Sequence, residues 1–246
     1  MSSINSAVRP LVTKLRNYGP LSAEEEQILD ATVSTTREVG ADTDMVLQGT
    51  SPNHSTLLLS GCVGRYNLTR RGDRQITSLH VPGDFVDLHS LLMKPLDHSI
   101  VALVACRIAV VPHDRLQRII DTHPRLARLL WLNTLIDGAT HRQWSIGLGS
   151  LLSYQHLAHI ICELYVRMNQ IGLTDGGQFH IPLTQVLLSQ CLALSAVHTN
   201  RAVQMLRGEN VLRWDRDLIT ITDWDRLVDI GEFDPTYLRV PARTPH

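Results

Sequence analysis

Residues 181–214 read IPLTQVLLSQCLALSAVHTNRAVQMLRGENVLRW and contain two short helix patterns separated by Ala193-Leu194-Ser195. No Asp or Glu occurs between Ile181 and Gly208, so a polyanion could dock on this segment alone. The stretch predicts a helix-turn-helix. The polar face of its second helix carries His198, Asn200, Arg201, Gln204 and Arg207.

The second helix of this stretch has the side chains that DNA reading requires. Ser195 suits the N-cap, and a helix N-terminus attracts phosphate. In the first two turns of a helix that enters the major groove, Asn pairs with adenine and Arg with guanine. The alternative is an ordinary helical hairpin with a solvated polar face, and the wing predicted after it favours DNA binding. Four small or apolar residues are expected to face the core: Ala196, Ala202, Val203 and Leu206.

Composition limits the class of protein. The 246 residues can form two domains, and a net charge of −1 means that DNA binding must come from a local patch. Four scattered cysteines without a Cys-x-x-Cys pair, and a polar N-terminus without a signal sequence, predict reduced thiols in the cytoplasm. No apolar run reaches the roughly 18 residues of a membrane span. We therefore expect a soluble protein with no membrane partner.

The pattern along the chain predicts an α+β fold in three parts. Short alternating runs between Thr36 and Pro112 predict an antiparallel β jelly-roll barrel, so residues 1–123 form a sensor barrel. Residues 124–148 are expected to form a dimerisation helix and hinge, and residues 149–246 a winged helix-turn-helix. Residues 1–19 are weakly patterned, and Ser22 with Glu25 predicts a capping box. The wing is expected to have two strands over 211–222, and the tail after a short helix is expected to be disordered.

The long helix carries a stripe of residues at alternating steps of three and four, which is typical of a coiled-coil seam. We predict a homodimer through the helix 124–146; the alternative is that the stripe packs only within its own chain. Trp131 and Leu135, on another side, suit packing on the barrel. The segment Gly147-Leu148-Gly149-Ser150 is expected to break the helix as a hinge. The stripe consists of Leu129, Leu132, Ile136, Ala139, Gln143 and Ile146.

The motif Leu194-Ser195-x-x-His198-x-Asn200-Arg201, preceded by Leu183-Thr184-Gln185, resembles the C-terminal signature of the Crp/Fnr superfamily of bacterial transcription regulators. The resemblance extends from about residue 20 to Leu238. It implies a homodimer on a near-palindromic operator of double-stranded DNA, with RNA polymerase as a candidate further partner and no enzymatic activity. Base-edge contacts are implied for Val197, His198 and Arg201, with Asn200 near the backbone or bases. Phosphate contacts are implied for Thr184, Gln185, Ser195 and Thr199.

The same resemblance implies an effector pocket in the barrel after Pro82-Gly83-Asp84. The family's Arg-Ser pair appears here as His98-Ser99, and without that arginine a cyclic phosphate lacks its bidentate partner. Cyclic AMP is therefore not expected, and the signal stays unidentified; an empty structural barrel is the alternative. The expected pocket residues are Asp87, Leu88, His89, His98 and Ser99.

Other functions were weighed against this one. His89 matches the haem ligand of the carbon-monoxide-sensing relatives, but Asp87 stands where they have a cysteine. An iron–sulfur cluster lacks its ligands, since no cysteine precedes Cys62. His156, His159 and Glu163, with Cys162 beside them, have spacing that can bind zinc. We expect no cofactor. The alternatives are a ligand-binding or interaction module without DNA binding, and a haem or metal sensor that uses the same DNA domain.

Overall fold

The computed structural model describes residues 7–240, and its helices and antiparallel sheets confirm the α+β class. The chain forms two compact units. One contains the described residues up to Asn67 together with Leu79–Asp137, and the other contains Leu68–Ser78 together with the described residues from Gly138 onward. None of the helices found over residues 7–240 is long and apolar enough to cross a membrane.

The barrel consists of seven strands in two sheets, with orders β1-β7-β3 and β2-β6-β4-β5. Pairing is antiparallel wherever β6 and β7 meet their neighbours, as the alternating sequence predicts. The run expected from Ile100 to Val111 is divided into two strands by a turn at 103–105. The strands are β1 (Thr35–Val39), β2 (Thr43–Val46), β3 (His54–Ser60), β4 (Val63–Leu68), β5 (Arg74–His80), β6 (Ser99–Ala102) and β7 (Cys106–Pro112).

The N-terminal segment is more ordered than its sequence pattern suggested. Helix α1 (Arg9–Arg16) buries Leu11, Val12 and Leu15, together with the preceding Val8, in one core cluster with barrel residues. The weak pattern was misleading because one short apolar stripe is enough to hold a helix in place when a sheet covers that stripe.

Helix α2 (Ala23–Ala31) begins as predicted. The Ser22 hydroxyl accepts a hydrogen bond from the Glu25 amide at 3.1 Å, and the Glu25 carboxylate accepts one from the Ser22 amide at 2.8 Å. This reciprocal pair confirms the capping box.

The Pro82-Gly83-Asp84 turn is held against helix α1. The Lys14 Nζ lies 2.6 Å from Asp84 Oδ1, and both side chains are buried. Gly83 has φ of +89°, and a Cβ there would lie 2.8 Å from the Pro10 carbonyl oxygen. Because both the backbone conformation and the close approach require glycine, this turn fixes α1 in place.

Helix α3 (His113–Thr122) precedes helix α4 (Pro124–Ser150), a continuous helix of 27 residues. The predicted roles of its faces are contradicted at four positions. Leu129 and Ile136, expected at the dimer seam, are buried within the chain, and Trp131 and Leu135, expected against the barrel, are 66% and 53% exposed; Ile146 of the predicted seam is 51% exposed. A pattern that is apolar on two sides does not specify which side the chain itself covers.

The predicted break in the helix at residues 147–150 is also wrong. Helix α4 runs through both glycines to Ser150, and the break falls at Leu151-Leu152, before helix α5 (Ser153–Asn169). Gly147 has a packing role instead, since a Cβ there would lie 2.3 Å from Cδ2 of the His156 imidazole. By contrast, a Cβ at Gly149 would meet nothing within 4 Å.

This difference predicts opposite effects for two matched substitutions. Gly147→Ala is expected to lower the free energy of unfolding by about 1–3 kcal/mol, because His156 must move from a packed site. Gly149→Ala should raise it by about 0.5–1 kcal/mol, because alanine is the better helix former. Urea unfolding of both variants checks this, and equal effects would contradict the packing role.

The second unit consists of a helical core and a three-stranded sheet of order β8-β10-β9. The expected two-stranded wing therefore gains a third strand, β8, which was predicted separately before the helix-turn-helix. The elements after α5 are β8 (Gln178–His180), α6 (Gln185–Leu192), α7 (Ala196–Gly208), β9 (Leu212–Asp215), β10 (Leu218–Ile221), α8 (Trp224–Ile230) and a 3₁₀ helix (Pro235–Leu238).

The segment after α8 is ordered as far as it is described, contrary to the prediction of disorder. Phe233 and Leu238 are buried, and the Tyr237 hydroxyl donates to Glu163 Oε2 at 2.9 Å. Proline enrichment was misleading here because aromatic residues between the prolines reach the core. The last six residues, 241–246, lie outside the described part.

Candidate nucleic-acid interface and barrel site

The α6-turn-α7 motif is built by local capping. The Thr184 hydroxyl accepts from the Leu187 amide at 3.2 Å at the start of α6, and the Ser195 hydroxyl accepts from the His198 amide at 3.4 Å at the start of α7. Between them Ala193 takes a left-handed conformation with φ of +54°, which costs an alanine about 1–2 kcal/mol. The turn is therefore formed without glycine, and the predicted helix-turn-helix is confirmed.

The two helices bury one face and expose the other. Leu187, Leu188 and Cys191 of α6 pack inside, as do Ala202, Val203 and Leu206 of α7. Ala196, which was expected in the core, is exposed, because the first turn of α7 extends beyond the helices that cover the rest.

Seven of the eight residues predicted to contact DNA are exposed at the N-termini of α6 and α7. Thr199 is the exception: it is fully buried, and its hydroxyl donates to the Ser195 carbonyl at 3.0 Å. Position 199 lies on the inner face of α7, so its hydroxyl is not on the surface where a phosphate contact was predicted. The exposed seven are Thr184, Gln185, Ser195, Val197, His198, Asn200 and Arg201.

The exposed face of α7 carries donors and no carboxylate. The Nδ1 atom of His198 lies 3.0 Å from the Ser195 hydroxyl, which directs the ring along the start of the helix. Arg207 donates to the Trp214 carbonyl at 3.1 Å and so connects α7 to the wing. Within residues 7–240, Arg201 is exposed and takes part in no ion pair. Such a guanidinium is available for a phosphate or a guanine.

The predicted effector residues divide into two groups in the barrel. The rings of His89 and His98 lie together, with centroids 5.0 Å apart. The other three residues have structural roles: Asp87 Oδ1 accepts from the Thr56 amide at 2.5 Å, Leu88 packs on the core, and the Ser99 hydroxyl accepts from the Gln48 amide at 2.9 Å.

The sequence prediction missed Arg65 on strand β4. Its Nε donates to the Val86 carbonyl at 2.7 Å, and its Nη1 lies 2.5 Å from Asp137 Oδ2 on helix α4. Arg65 pairs with Ile100 across the sheet, and directly opposite side chains of two paired strands share a face. A charged residue in the middle of a buried strand was the signal that could have identified it.

Burial shifts the titration of two groups in this region. Burial, followed by the charges of Arg65 and His98, lowers the pKa of His89 to about 3. Burial raises the pKa of Asp87 from 3.8 to about 7, although its bond to the Thr56 amide opposes that shift. His89 is therefore neutral at physiological pH, and Asp87 is close to half-protonated.

The raised pKa of Asp87 predicts a pH-dependent stability. The folded state holds the Asp87 proton more tightly than the unfolded chain does. The free energy of unfolding therefore falls as the pH rises from about 4 to about 7, by at most about 4 kcal/mol. Above that range the decrease stays constant. Asp87→Asn should therefore have a Tm advantage over the natural chain that grows with pH and then levels off. Calorimetry from pH 4 to pH 9 measures it. A difference in Tm that stays flat from pH 4 to pH 9 would contradict it.

The histidines considered for zinc serve the core of the second unit. Glu163 is fully buried, and its carboxylate accepts from Arg167, Trp144 and Tyr237 at 2.8, 3.1 and 2.9 Å. The His159 Nδ1 lies 3.1 Å from the Gly231 carbonyl oxygen. No group of three or more His, Cys, Asp or Glu side chains in the described chain is arranged to hold a metal ion. The zinc alternative therefore has no support from the geometry.

Comparison with known proteins matches both units. Residues 36–123 match the cyclic nucleotide-binding domain, and residues 155–230 match the Crp-like helix-turn-helix domain. The chain is 21% identical to an anaerobic regulatory protein of Haemophilus influenzae, over 86% of this chain and 82% of that protein. It is also 21% identical to the transcriptional activator protein FnrA of Stutzerimonas stutzeri, over 82% of this chain and 83% of that protein.

Two solved structures show the same fold. FixK2 from Bradyrhizobium japonicum has a TM-score of 0.68 at 20% identity, covering 80% of this chain and 96% of that one. The c-di-GMP-responsive global regulator CLP from Xanthomonas campestris has a TM-score of 0.63 at 14% identity, covering 81% of this chain and 99% of that one. At these identities the structures support the architecture and leave ligand and operator open.

Proposed function

Since the chain belongs to the Crp/Fnr superfamily of DNA-binding transcription regulators, we propose that it binds a near-palindromic operator as a homodimer. Residues 1–123 sense a signal, residues 124–148 pair the protomers, and residues 149–246 bind the duplex. Its relatives are regulators and not enzymes. The observation that carries the proposal is the exposed, acid-free face at the start of α7.

The proposed contacts with DNA are assigned to exposed side chains at the starts of α6 and α7. Val197, His198 and Arg201 face the base edges, where the valine methyls suit a thymine methyl and the guanidinium suits guanine. Asn200 lies beside them. Thr184, Gln185 and Ser195, at the two helix N-termini, hold phosphates and set the register of the protein on the duplex.

The homodimer is formed through the exposed stripe of α4. Trp131 and Leu135 are one helical turn apart and mainly exposed. Exposed apolar side chains on a long helix indicate an interface with another helix. A second copy of the same helix supplies a matching surface, because a twofold contact is self-complementary.

The regulator works in the cytoplasm and binds a signal in the barrel, around His89 and His98. The position of the family's phosphate-binding arginine holds His98, so cyclic AMP is not the proposed effector. RNA polymerase is a further proposed partner, through which bound protein changes transcription.

Selection of duplexes from a random pool by the purified protein tests this function. We expect inverted half-sites about one helical turn, roughly 10 base pairs, apart. Binding should weaken steeply with salt, since phosphate contacts release counterions. Failure to enrich any sequence would favour the alternative of an interaction module without DNA binding. An absorption spectrum of the same sample tests the haem-sensor alternative.

A further inference from the structure

The hairpin between β4 and β5 carries three arginines in eleven residues. Residues 68–78 contain Arg70, Arg71 and Arg74 and one acid, Asp73, so this segment has a charge of +2 in a chain whose net charge is −1. It belongs to the same compact unit as the helix-turn-helix. The hairpin therefore concentrates positive charge in the unit that contains the reading helix.

The tip of the hairpin is a tight turn with a fixed shape. The Gly72 amide donates to the Thr69 carbonyl at 3.0 Å, and the Thr69 amide donates to the Asp73 carbonyl at 2.9 Å. Gly72 has φ of +87°, as the last residue of such a hairpin loop requires. Arg70 and Arg71 occupy the two central positions, which accept most residue types. The turn itself therefore does not require arginine at either position.

The two arginines at the tip are exposed and have no counter-charge. Over residues 7–240, neither Arg70 nor Arg71 takes part in an ion pair or a side-chain hydrogen bond. Adjacent guanidiniums repel each other, and their planar donor groups match the oxygens of a phosphate. A rigid turn that holds two such groups side by side suits an anion with closely spaced charges.

The hairpin lies against the first helix of the DNA-binding motif. Gln75, four residues after Arg71, donates from Nε2 to the Cys191 carbonyl oxygen at 3.3 Å. Cys191 is in the last turn of α6 and precedes Ser195, the N-cap of α7, by four residues. Four residues span at most about 14 Å. Arg71 is therefore within about 14 Å of Gln75, and the start of α7 is equally close to Cys191.

We propose that Arg70 and Arg71 bind phosphates of the duplex that α7 reads, on the backbone beyond the contacts of α7 itself. This inference rests on the proposed function, because it extends the contact surface of the same DNA complex. B-DNA carries one negative charge for about every 1.7 Å of its axis, so a duplex held at α7 presents phosphates to the hairpin. The two guanidiniums identify no base, so the hairpin adds affinity and leaves the operator sequence unchanged.

Continuity with the reading face favours DNA over another acidic partner. The segment from Ile181 to Gly208 has no Asp or Glu, and the hairpin contacts it at Cys191. The two arginines therefore extend an acid-free surface and do not form an isolated patch. An acidic protein surface would also suit guanidiniums, but its loss would not change the salt dependence of duplex binding.

Mobility-shift titration of the full-length protein at several salt concentrations tests the proposal, with the selected operator and a scrambled duplex as probes. The double substitution Arg70→Ala and Arg71→Ala should lower the affinity for both duplexes by roughly 100-fold at physiological salt, because each protomer loses two phosphate contacts. The slope of log affinity against log salt concentration should become shallower by about 2 per protomer, or about 4 in a homodimer. The ratio of the two affinities should not change.

Two further double variants separate charge from structure. Arg70→Lys with Arg71→Lys keeps both charges and should keep the salt slope of the natural chain, because lysine also displaces counterions. Arg9→Ala with Arg118→Ala removes the same charge from exposed positions in the other compact unit. This matched control should bind both duplexes as the natural chain does.

The outcomes distinguish this inference from the proposed function. An unchanged salt slope in the double alanine variant, with operator selection intact, would overturn the inference alone, as would an equal loss in the Arg9 and Arg118 control. Binding that depends on Arg70 and Arg71 but enriches no sequence would support the inference and overturn the operator-specific function. Absence of any duplex binding by the natural chain would overturn both.

Discussion

Replacing Arg201 with alanine is expected to abolish sequence-specific duplex binding. A bidentate arginine–guanine contact contributes about 1–3 kcal/mol of discrimination, and a homodimer makes it twice, so the loss is about 2–6 kcal/mol or roughly 30-fold to 10⁴-fold. The exposed position of Arg201 means that the fold should tolerate the change. Mobility-shift titration at fixed salt, with the selected operator and a scrambled duplex, measures both affinity and specificity.

Two other variants make the Arg201 result interpretable. Gln185→Ala, at the start of α6, should weaken binding to both duplexes alike, because a phosphate contact carries no sequence information. Arg118→Ala, exposed on α3 in the other unit, should leave binding unchanged. Full specificity in Arg201→Ala would show that α7 is not the reading helix.

The double substitution Trp131→Asp and Leu135→Asp is expected to convert the protein to monomers. Each apolar side chain contributes about 1.5–3 kcal/mol when fully buried, and each occurs twice in a twofold interface. Burying four new carboxylates adds a further penalty. Sedimentation velocity should show one species of about half the mass, and operator affinity should fall more than about 100-fold because half-sites are then bound separately.

The control for this variant is Leu92→Asp. Leu92 is 83% exposed on the barrel and lies away from α4 in sequence. The substitution therefore introduces an acid at an exposed apolar residue outside the proposed interface. A dimer that persists in the double variant, with natural operator affinity, would place the interface elsewhere.

The parts of the fold that local sequence specifies were predicted correctly. The capping box at Ser22 and Glu25 and the N-cap at Ser195 are short-range hydrogen-bonding patterns, and both are present. The wrong predictions occur where contacts with residues distant in sequence determine the local structure. Gly147 is typical of a break, yet it lies within α4, where the missing side chain leaves room for the imidazole of His156, nine residues away.

The candidate sites show the same difference between what local sequence specifies and what the tertiary fold specifies. The polar face of α7 was predicted from one helix and its period, whereas Ala196 and Thr199 lie on the sides opposite to those expected. The barrel region could not be predicted, because Arg65 and Asp137 are 72 residues apart and meet only through the tertiary fold.

The exposure of Trp131 has a practical consequence for measuring assembly. Its indole is 66% exposed on the surface of α4, whereas Trp144 is 1% exposed and bonded to Glu163. Trp144 is already enclosed, so its emission should hardly depend on concentration. Transfer of Trp131 from water into an apolar contact should shift its fluorescence to shorter wavelength. The chain therefore carries an intrinsic optical probe, and a simple dilution series can report its association without any label.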